Sequence, residues 1–571
     1  MPMFPRLPHA RRAVALASAV AAIAAVAAQA APSADATTPH STRLVAGNLL
    51  VATSTFQNDP GIVAGVTQLP PGCGGTSYDP CGTAVTNGDY PYVFNNDTVD
   101  GSFGVTSPIT LDELTRTGNL VGTIEVPNST MPKVATSSGQ MVTSFSSKSE
   151  LALNLSTSGR AVTFMGYNAP VGTADVSNDN TPGDVDPTSA DPGTNYREVA
   201  ELREDGRFHF TETNAYSGDN GRAAILSDQH GANLFYLAGN GGNGASPEPA
   251  QVVTGTGAQM LQPSQQPAGM QDPGQPTAVG NFNVTELGDA ADKSGKDNNF
   301  RGITISNNVV YYTKGSGSNG VDTVYFVDTT GTACPDGTGL PVPGAPLPTS
   351  SDFTYSTSDP ALGLTAKNPG LTPTNMCILQ GFPTAIAKDA TDASDYPFGM
   401  WFANADTLYI ADEGAGDNTY DPTTNTYSSA AASTTAGLQK WVFDTSTQQW
   451  NLAYTLQSGL NLGTPYTVPG YPTGLNNGPG GSGLPWAPAT DGLRTLTGRV
   501  NHNGTVTIWA GTSTVSGSGD QGADPNELVS ITDNLAATSL PASESFSTVM
   551  PATNGEVIRG VAFTPGTFRN R

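Results

Sequence analysis

Residues Pro397 to Gly414 read PFGMWFANADTLYIADEG, and after a polar insertion from Ala415 to Ala436 the chain resumes as GLQKWVFD, Gly437 to Asp444. The first run is apolar and aromatic, Asn404, Ala405 and Asp406 make a turn, and TLYIAD follows as a second apolar run. Short runs of aromatic and β-branched residues bounded by Gly, Asn, Asp or Pro are strands. The stretch is therefore three successive strands of one small antiparallel sheet.

Partial copies of this unit recur on both sides. LVAGNLLVATSTF from Leu44 is strand material, and ITLDELTRTGNLVGTIEVP is a hairpin turning at Thr117 to Asn119. ELALNLSTSGRAVTFMGYNAP starts a new unit at Glu150, with YREVAELREDGRFHFTET as its outer hairpin. Further units start at Arg222 (RAAILSDQHGANLFYLAGNGG), Arg301 (RGITISNNVVYYTKG), Phe398 and Thr497 (TGRVNHNGTVTIWAGTS). The last element, RGVAF at Arg559, is an inner strand without the rest of its sheet, and the strand at Leu49 to Thr55 lacks an inner strand before it. Joining the two closes a ring and removes the exposed sheet edges that invite aggregation. The expected fold is all-β, a β-propeller of six blades in one domain over 44–571, with seven blades as the alternative count if the segment between Phe56 and Ile109 hides another.

Pro397-Phe398-Gly399, Leu408-Tyr409-Ile410-Ala411-Asp412 and Gly414 resemble the NHL-type repeat, P-x-G-I-A-V followed by L-Y-V-A-D and a further strand. From about residue 44 the layout is similar to secreted bacterial six-bladed propellers. The resemblance implies that ligands bind where the loops leading into the inner strands gather around a central channel.

Composition bounds the class. Arg6, Arg11 and Arg12, the apolar run from Ala13 to Ala28, and Ala28-Gln29-Ala30 read as a secretory signal peptide over 1–30, followed by a polar remnant over 31–43. The mature chain is expected to start near Ala31, to have no transmembrane segment, and to be periplasmic, cell-surface or extracellular. The formal charge is −25, and losing the three leader arginines takes it to −28. So acidic a chain excludes nucleic acid as a partner, because that needs a basic footprint. Four cysteines in an exported chain favour disulfides, and the two local pairs, Cys73 with Cys81 and Cys334 with Cys377, would each tie down one loop.

The channel is expected to be lined by the residues that open each inner strand: Arg559, Glu150, Arg222, Arg301, Phe398 and Thr497. Three arginines facing one funnel at about 10 Å repel by roughly 1 to 2 kcal/mol per pair at an effective dielectric of 20. Glu556, Asp219, Asp297 and Asp491, with Lys296, lie in the same approach loops. The set is expected to be either a structural ion-pair ring or a site in which guanidinium forks grip a carboxylate or phosphate.

A second cluster, DVSNDNTPGDVDPTSADPG, offers Asp175, Asn178, Asp179, Asn180, Asp184, Asp186 and Asp191 as hard oxygen ligands for calcium, although Asp and Asn are also ordinary turn formers. Smaller acidic groups occur at Asp412, Glu413, Asp417 and Asp421, and at Asp520, Asp524 and Glu527. His209, His230 and His502 show no ligand spacing, neither H-E-x-x-H nor G-x-S-x-G occurs, and no catalytic residue is assigned. The expected role is a binding module for a small anion, a glycan or a protein, working as a monomer. Resemblance to calcium-dependent propeller hydrolases of the phytase-like and gluconolactonase-like groups supplies the alternative, with Glu150, Asn298, Asn299 and Asp491 on the metal. Their D-A-x-D-D-P-A-x-W stretch is missing here.

Overall fold

The computed structural model describes residues 43–568 apart from 64, 70–81, 84–103, 135–138, 185, 187–192, 230–232, 243–253, 264–278, 288, 292, 316–318, 335, 351–374, 388–394, 478–480 and 519–520. The leader, Cys73, Cys81, Asp191, His230 and Asp520 lie outside the described residues.

Six sheets form the propeller. Blade 1 is built from both ends of the chain, in the spatial order Glu556–Phe563, Leu49–Thr55, Ile109–Leu114 and Leu120–Glu125. Blade 2 runs outward through Asn154–Leu155, Ala161–Tyr167, Arg197–Arg203 and Phe208–Thr213; blade 3 through Gly221–Ser227, Leu234–Gly239, Ala258–Leu261 and Gly280–Phe282. Blade 4 comprises Ile303–Ser306, Val309–Lys314, Thr323–Val327 and Met376–Leu379, with Thr338–Gly339 added in parallel at its outer edge. Blade 5, the quoted stretch, is Pro397–Asn404, Thr407–Asp412, Gly437–Asp444 and Gln449–Leu456; blade 6 is Ala489–Val500, Thr505–Val515, Leu528–Asn534 and Ser547–Met550. Each inner strand touches the inner strand of the next blade all the way round, blade 6 to blade 1 included. The seven-blade alternative is thereby set aside among the described residues.

The closing pair is antiparallel, with Leu49 opposite Phe563, Val51 opposite Val561 and Thr55 opposite Glu556. Its alternation puts Leu50 and Ala562 into the core shared with blade 2, and Leu49, Val51, Val561 and Phe563 into the core shared with blade 6. A strand buried on both faces needs this continuous apolar character. Close approach of inner strands explains the small residues after two of the arginines. A Cβ on Gly302 would collide with the Phe398 carbonyl oxygen of blade 5, and one on Gly560 with the Leu151 carbonyl oxygen of blade 2.

Trp401, Trp441, Trp450 and Trp509 lie in blade strands as expected; Trp401 overlies Gly498 of blade 6, and Trp441 stacks on Phe382 at 4.0 Å. The insertion Ala415–Ala436 folds into a hairpin (Tyr420–Asp421 with Thr426–Tyr427) and a short helix, Ser428–Ala432. Tyr427 and Ala430 pack on Ala489 and Val515, so the insertion leans on blade 6.

Blade 6 departs from the expected start. Its inner strand begins at Ala489 and runs for twelve residues, with irregularities between Thr490 and Gly492 and between Leu493 and Leu496. Thr497 is therefore a half-buried residue well along the strand, opposite Trp509, rather than its opening position.

Cys334 and Cys377 are bonded, with Cα atoms 6.0 Å apart and 43 residues between them in sequence. The bond ties the loop after the third strand of blade 4 to the fourth strand. Closing a loop of this length stabilises a fold by about 2 to 4 kcal/mol. Replacing both cysteines by serine, or reducing the protein, is expected to lower its thermal midpoint; an unchanged midpoint would show that blade 4 does not need the tie.

Candidate functional site

The loops leading into the inner strands, and those joining each second and third strand, lie on one face of the ring. Glu150, Asp219, Asn299 and Arg301 lie in the segments leading into the inner strands of blades 2, 3 and 4, Arg222 is the second residue of the blade 3 inner strand, and the contacts of Arg222 with Asn299 and of Arg301 with Ser149 bring these segments together. Arg222, Arg301, Arg494 and Arg559 are all buried, with Arg222 and Arg301 only 4% and 5% exposed.

The arginines find mostly neutral acceptors. Arg222 donates from Nε to Asn220 Oδ1 at 2.7 Å, and from NH1 to the Phe300 carbonyl at 3.0 Å and to Asn299 Oδ1. Arg301 donates from NH1 to Ser149 Oγ, and its guanidinium lies 6.0 Å from the ring centroid of Phe398. Arg301 Nε has no hydrogen-bond partner among the described residues. Arg559 donates to the carbonyls of Gly522 at 2.7 Å and of Phe145. Neither Arg222 nor Arg301 forms an ion pair with a described carboxylate. Burial lowers the pKa of both, and the neighbouring charge of Arg301 adds to the effect on Arg222, which falls to about 9.

The acids engage other groups. Glu413 takes Arg494 Nε at 3.2 Å and Lys148 Nζ at 3.6 Å. Burial works to raise the Glu413 carboxyl, but Lys148, Arg301 and Arg494 outweigh it and hold it below its ordinary value. Asp219 meets Lys296 at 3.9 Å. Glu150 accepts from Thr143 Oγ1 at 2.6 Å, the Ser144 amide at 3.0 Å and Tyr167 OH at 2.5 Å, and burial raises it. Asp491 accepts the Gly416 amide at 2.7 Å, and Asp297 accepts the Lys293 amide at 2.6 Å. Asn298 Oδ1 accepts the Val284 amide at 2.8 Å. Glu556 is half-buried opposite Thr55, its carboxyl raised by burial and by Asp112.

Two participants escaped the sequence reading. Arg494 stands where Thr497 was expected; the signal was a fourth copy of arginine, small or β-branched residue, aliphatic residue, as in Arg222-Ala, Arg301-Gly and Arg559-Gly. Glu413, directly after the L-Y-I-A-D run, was read only as a member of an acidic cluster.

In the acidic loop Asp175, Asp179, Asn180, Asp184 and Asp186 are buried. Asn178 Nδ2 donates to Asp175 Oδ1 at 2.8 Å, Asn195 Nδ2 donates to Asp179 Oδ2, and Asn180 Oδ1 accepts the Asp186 amide at 2.6 Å. Arg197 beneath the loop donates to the carbonyls of Ser177, Asn195 and Asp219. Among the described residues the one group of three His, Cys, Asp or Glu with converging ligand atoms is Asp328, Cys334 and Cys377, and its two sulfurs form the disulfide. His209 lies in the outer strand of blade 2 and His502 in an exposed turn.

No protein-family model and no curated protein matches the chain. Among solved structures, Drosophila Semaphorin 1a, extracellular domains 1-2, is similar over 75% of this chain and 83% of its own, at 10% identity and a TM-score of 0.26. A likeness of that degree carries no argument about role.

Burial pushes the Asp412 carboxyl up to about 7, and those of Asp491, Asp184 and Asp524 up to about 6. A carboxyl raised in this way binds its proton more tightly in the folded than in the unfolded chain, so folding takes up protons between about pH 4 and 7. The stability is greatest below that window and is lost as pH rises through it. The lowered Glu413 acts in the opposite sense only below its ordinary range. The thermal midpoint is thus expected to fall between pH 5 and pH 7.5; a midpoint that rises across this range would show that these carboxyls are not held protonated.

Proposed function

We propose that the protein is a binding module that takes a small anionic molecule, bearing a carboxylate or phosphate, at the arginine-lined mouth of its propeller channel. One observation carries the reading: Arg222 and Arg301 are some 95% buried yet bond only neutral acceptors, and Arg301 Nε has no partner among the described residues. A buried guanidinium without a direct ion pair is costly, and the more distant Glu413 and Asp219 offset only part of that cost. Because Arg301 also depresses Arg222, a ligand carrying negative charge would relieve both. The guanidinium suits an oxyanion by its paired donors, and Phe398 beside it supplies an apolar wall for the rest of the ligand.

Export fits the same reading. The disulfide is of a kind that persists in oxidising compartments, and no described helix is long and apolar enough to cross a membrane.

Thermal shifts with phosphate and with citrate, each against chloride at equal ionic strength, test the assignment. A ligand at a hundred times its dissociation constant adds about 2.7 kcal/mol of stability. The wild-type midpoint is expected to rise with one of these anions, and Arg301→Gln and Arg222→Gln to lose that rise. In chloride Arg301→Gln loses both a costly buried charge and its attraction to Glu413, so the anion response rather than the chloride midpoint is the readout. An equal response of wild type and both variants would overturn the assignment.

A further inference from the structure

Away from the channel, the wall between blades 1 and 2 contains a carboxylate pair that the proposed anion site does not use. Glu198 and Glu212 are directly opposite one another in the antiparallel pairing of Arg197–Arg203 with Phe208–Thr213. Period-2 alternation puts them on the face that carries Ala200, Leu202 and Phe210, and this face packs on Ile109, Leu111, Val126 and Met141 in the core shared with blade 1. Glu198 is 0% exposed, and neither of its carboxylate oxygens has a hydrogen-bond partner among the described residues. Like charges directly opposite one another on a sheet are destabilising, and a buried carboxylate without donors is more so. Burial raises both carboxyls, and the charge of Glu212 adds to the effect on Glu198.

An amide side chain stands against the pair. Asn168 Nδ2 donates to Glu212 Oε1, and Gln140 Nε2 approaches Asn168 Oδ1 at 3.4 Å. Asn214, two residues on from Glu212, is buried, and neither its Oδ1 nor its Nδ2 has a partner among the described residues. Turning the Asn168 amide would present its oxygen in place of its nitrogen, because only the hydrogen-bond network distinguishes the two.

We propose that Glu198 and Glu212 hold a divalent cation in the wall between blades 1 and 2, with the amide oxygens of Asn168 and Asn214 as further ligands. The donors are hard oxygens only, with no imidazole or thiolate, which selects calcium over transition metals. Two carboxylates and two amide oxygens supply five or six ligand atoms if one or both carboxylates bind through both oxygens, and calcium takes about six to eight. The cation cancels both carboxylate charges and gives Glu198 the partner it lacks. This places calcium on the strands of blade 2 rather than in the Asp175–Asp186 loop.

The test compares wild type, Glu198→Gln and Glu212→Gln in chelator, in millimolar calcium and in millimolar magnesium. Calcium is expected to raise the wild-type midpoint by roughly 2 to 4 °C at saturation, magnesium by less, and both variants to lose the calcium rise. In chelator Glu198→Gln should melt no lower than wild type, since it removes an unpaired buried charge. Calcium content after dialysis, measured on all three proteins, should fall by one ion per chain in each variant. Equal calcium rises in wild type and variants would place the ion elsewhere, and no rise in wild type would mean that a proton alone neutralises the pair; either result overturns the proposal.

Discussion

Everything in this molecule depends on the pairing of Leu49–Thr55 with Glu556–Phe563. The junction joins segments from opposite ends of the described chain; Thr564 Oγ1 bonds the Val45 carbonyl across 519 residues. Loop closure over such a distance costs about 5 to 6 kcal/mol in chain entropy, and the cost grows only logarithmically with length. Burying Leu49, Leu50, Val51, Val561 and Phe563 offsets it, at about 1.5 to 3 kcal/mol for each large aliphatic or aromatic side chain. Without the junction, blades 6 and 2 would lose the neighbour that covers their inner faces.

Closure also fixes the electrostatics of the channel. It brings Arg559 beside the loops of blades 2 and 6, where the Phe145 and Gly522 carbonyls receive it, and completes a circle that includes Arg222, Arg301 and Arg494. Glu413 answers Arg494 and Lys148 directly, whereas Arg222 and Arg301 are left with amides, a hydroxyl and an aromatic face. Internal ion pairs thus join Glu413 to Arg494 and Lys148 and Asp219 to Lys296, but none includes these two arginines among the described residues.

Much of the fold was legible because its strands carry their signals locally. Blade 5 announces each strand by apolar runs and turn residues, and the Arg-Gly pairs at 301 and 559 mark inner strands whose close approach excludes a Cβ. What escaped depended on register or on a partner distant in sequence. Two irregularities in Ala489–Val500 shift Arg494 into the channel, and no periodicity shows such a shift in advance. Glu198 and Glu212 were read as part of an ordinary outer hairpin, yet they share a face with Ala200, Leu202 and Phe210. A charge on an apolar face was the available signal, and only the packing of blade 1 against it shows that the face is closed to water.

The most direct test of the account is where an oxyanion settles. Crystals grown with millimolar selenate, with anomalous data at the selenium edge, would locate it without assumptions about the natural ligand. A peak is expected at the channel mouth, with an oxygen about 3 Å from Arg301 Nε and within reach of Arg222. A channel without a peak, in which both guanidinium groups are turned onto Asp219, Glu413 or Asp491, would contradict it.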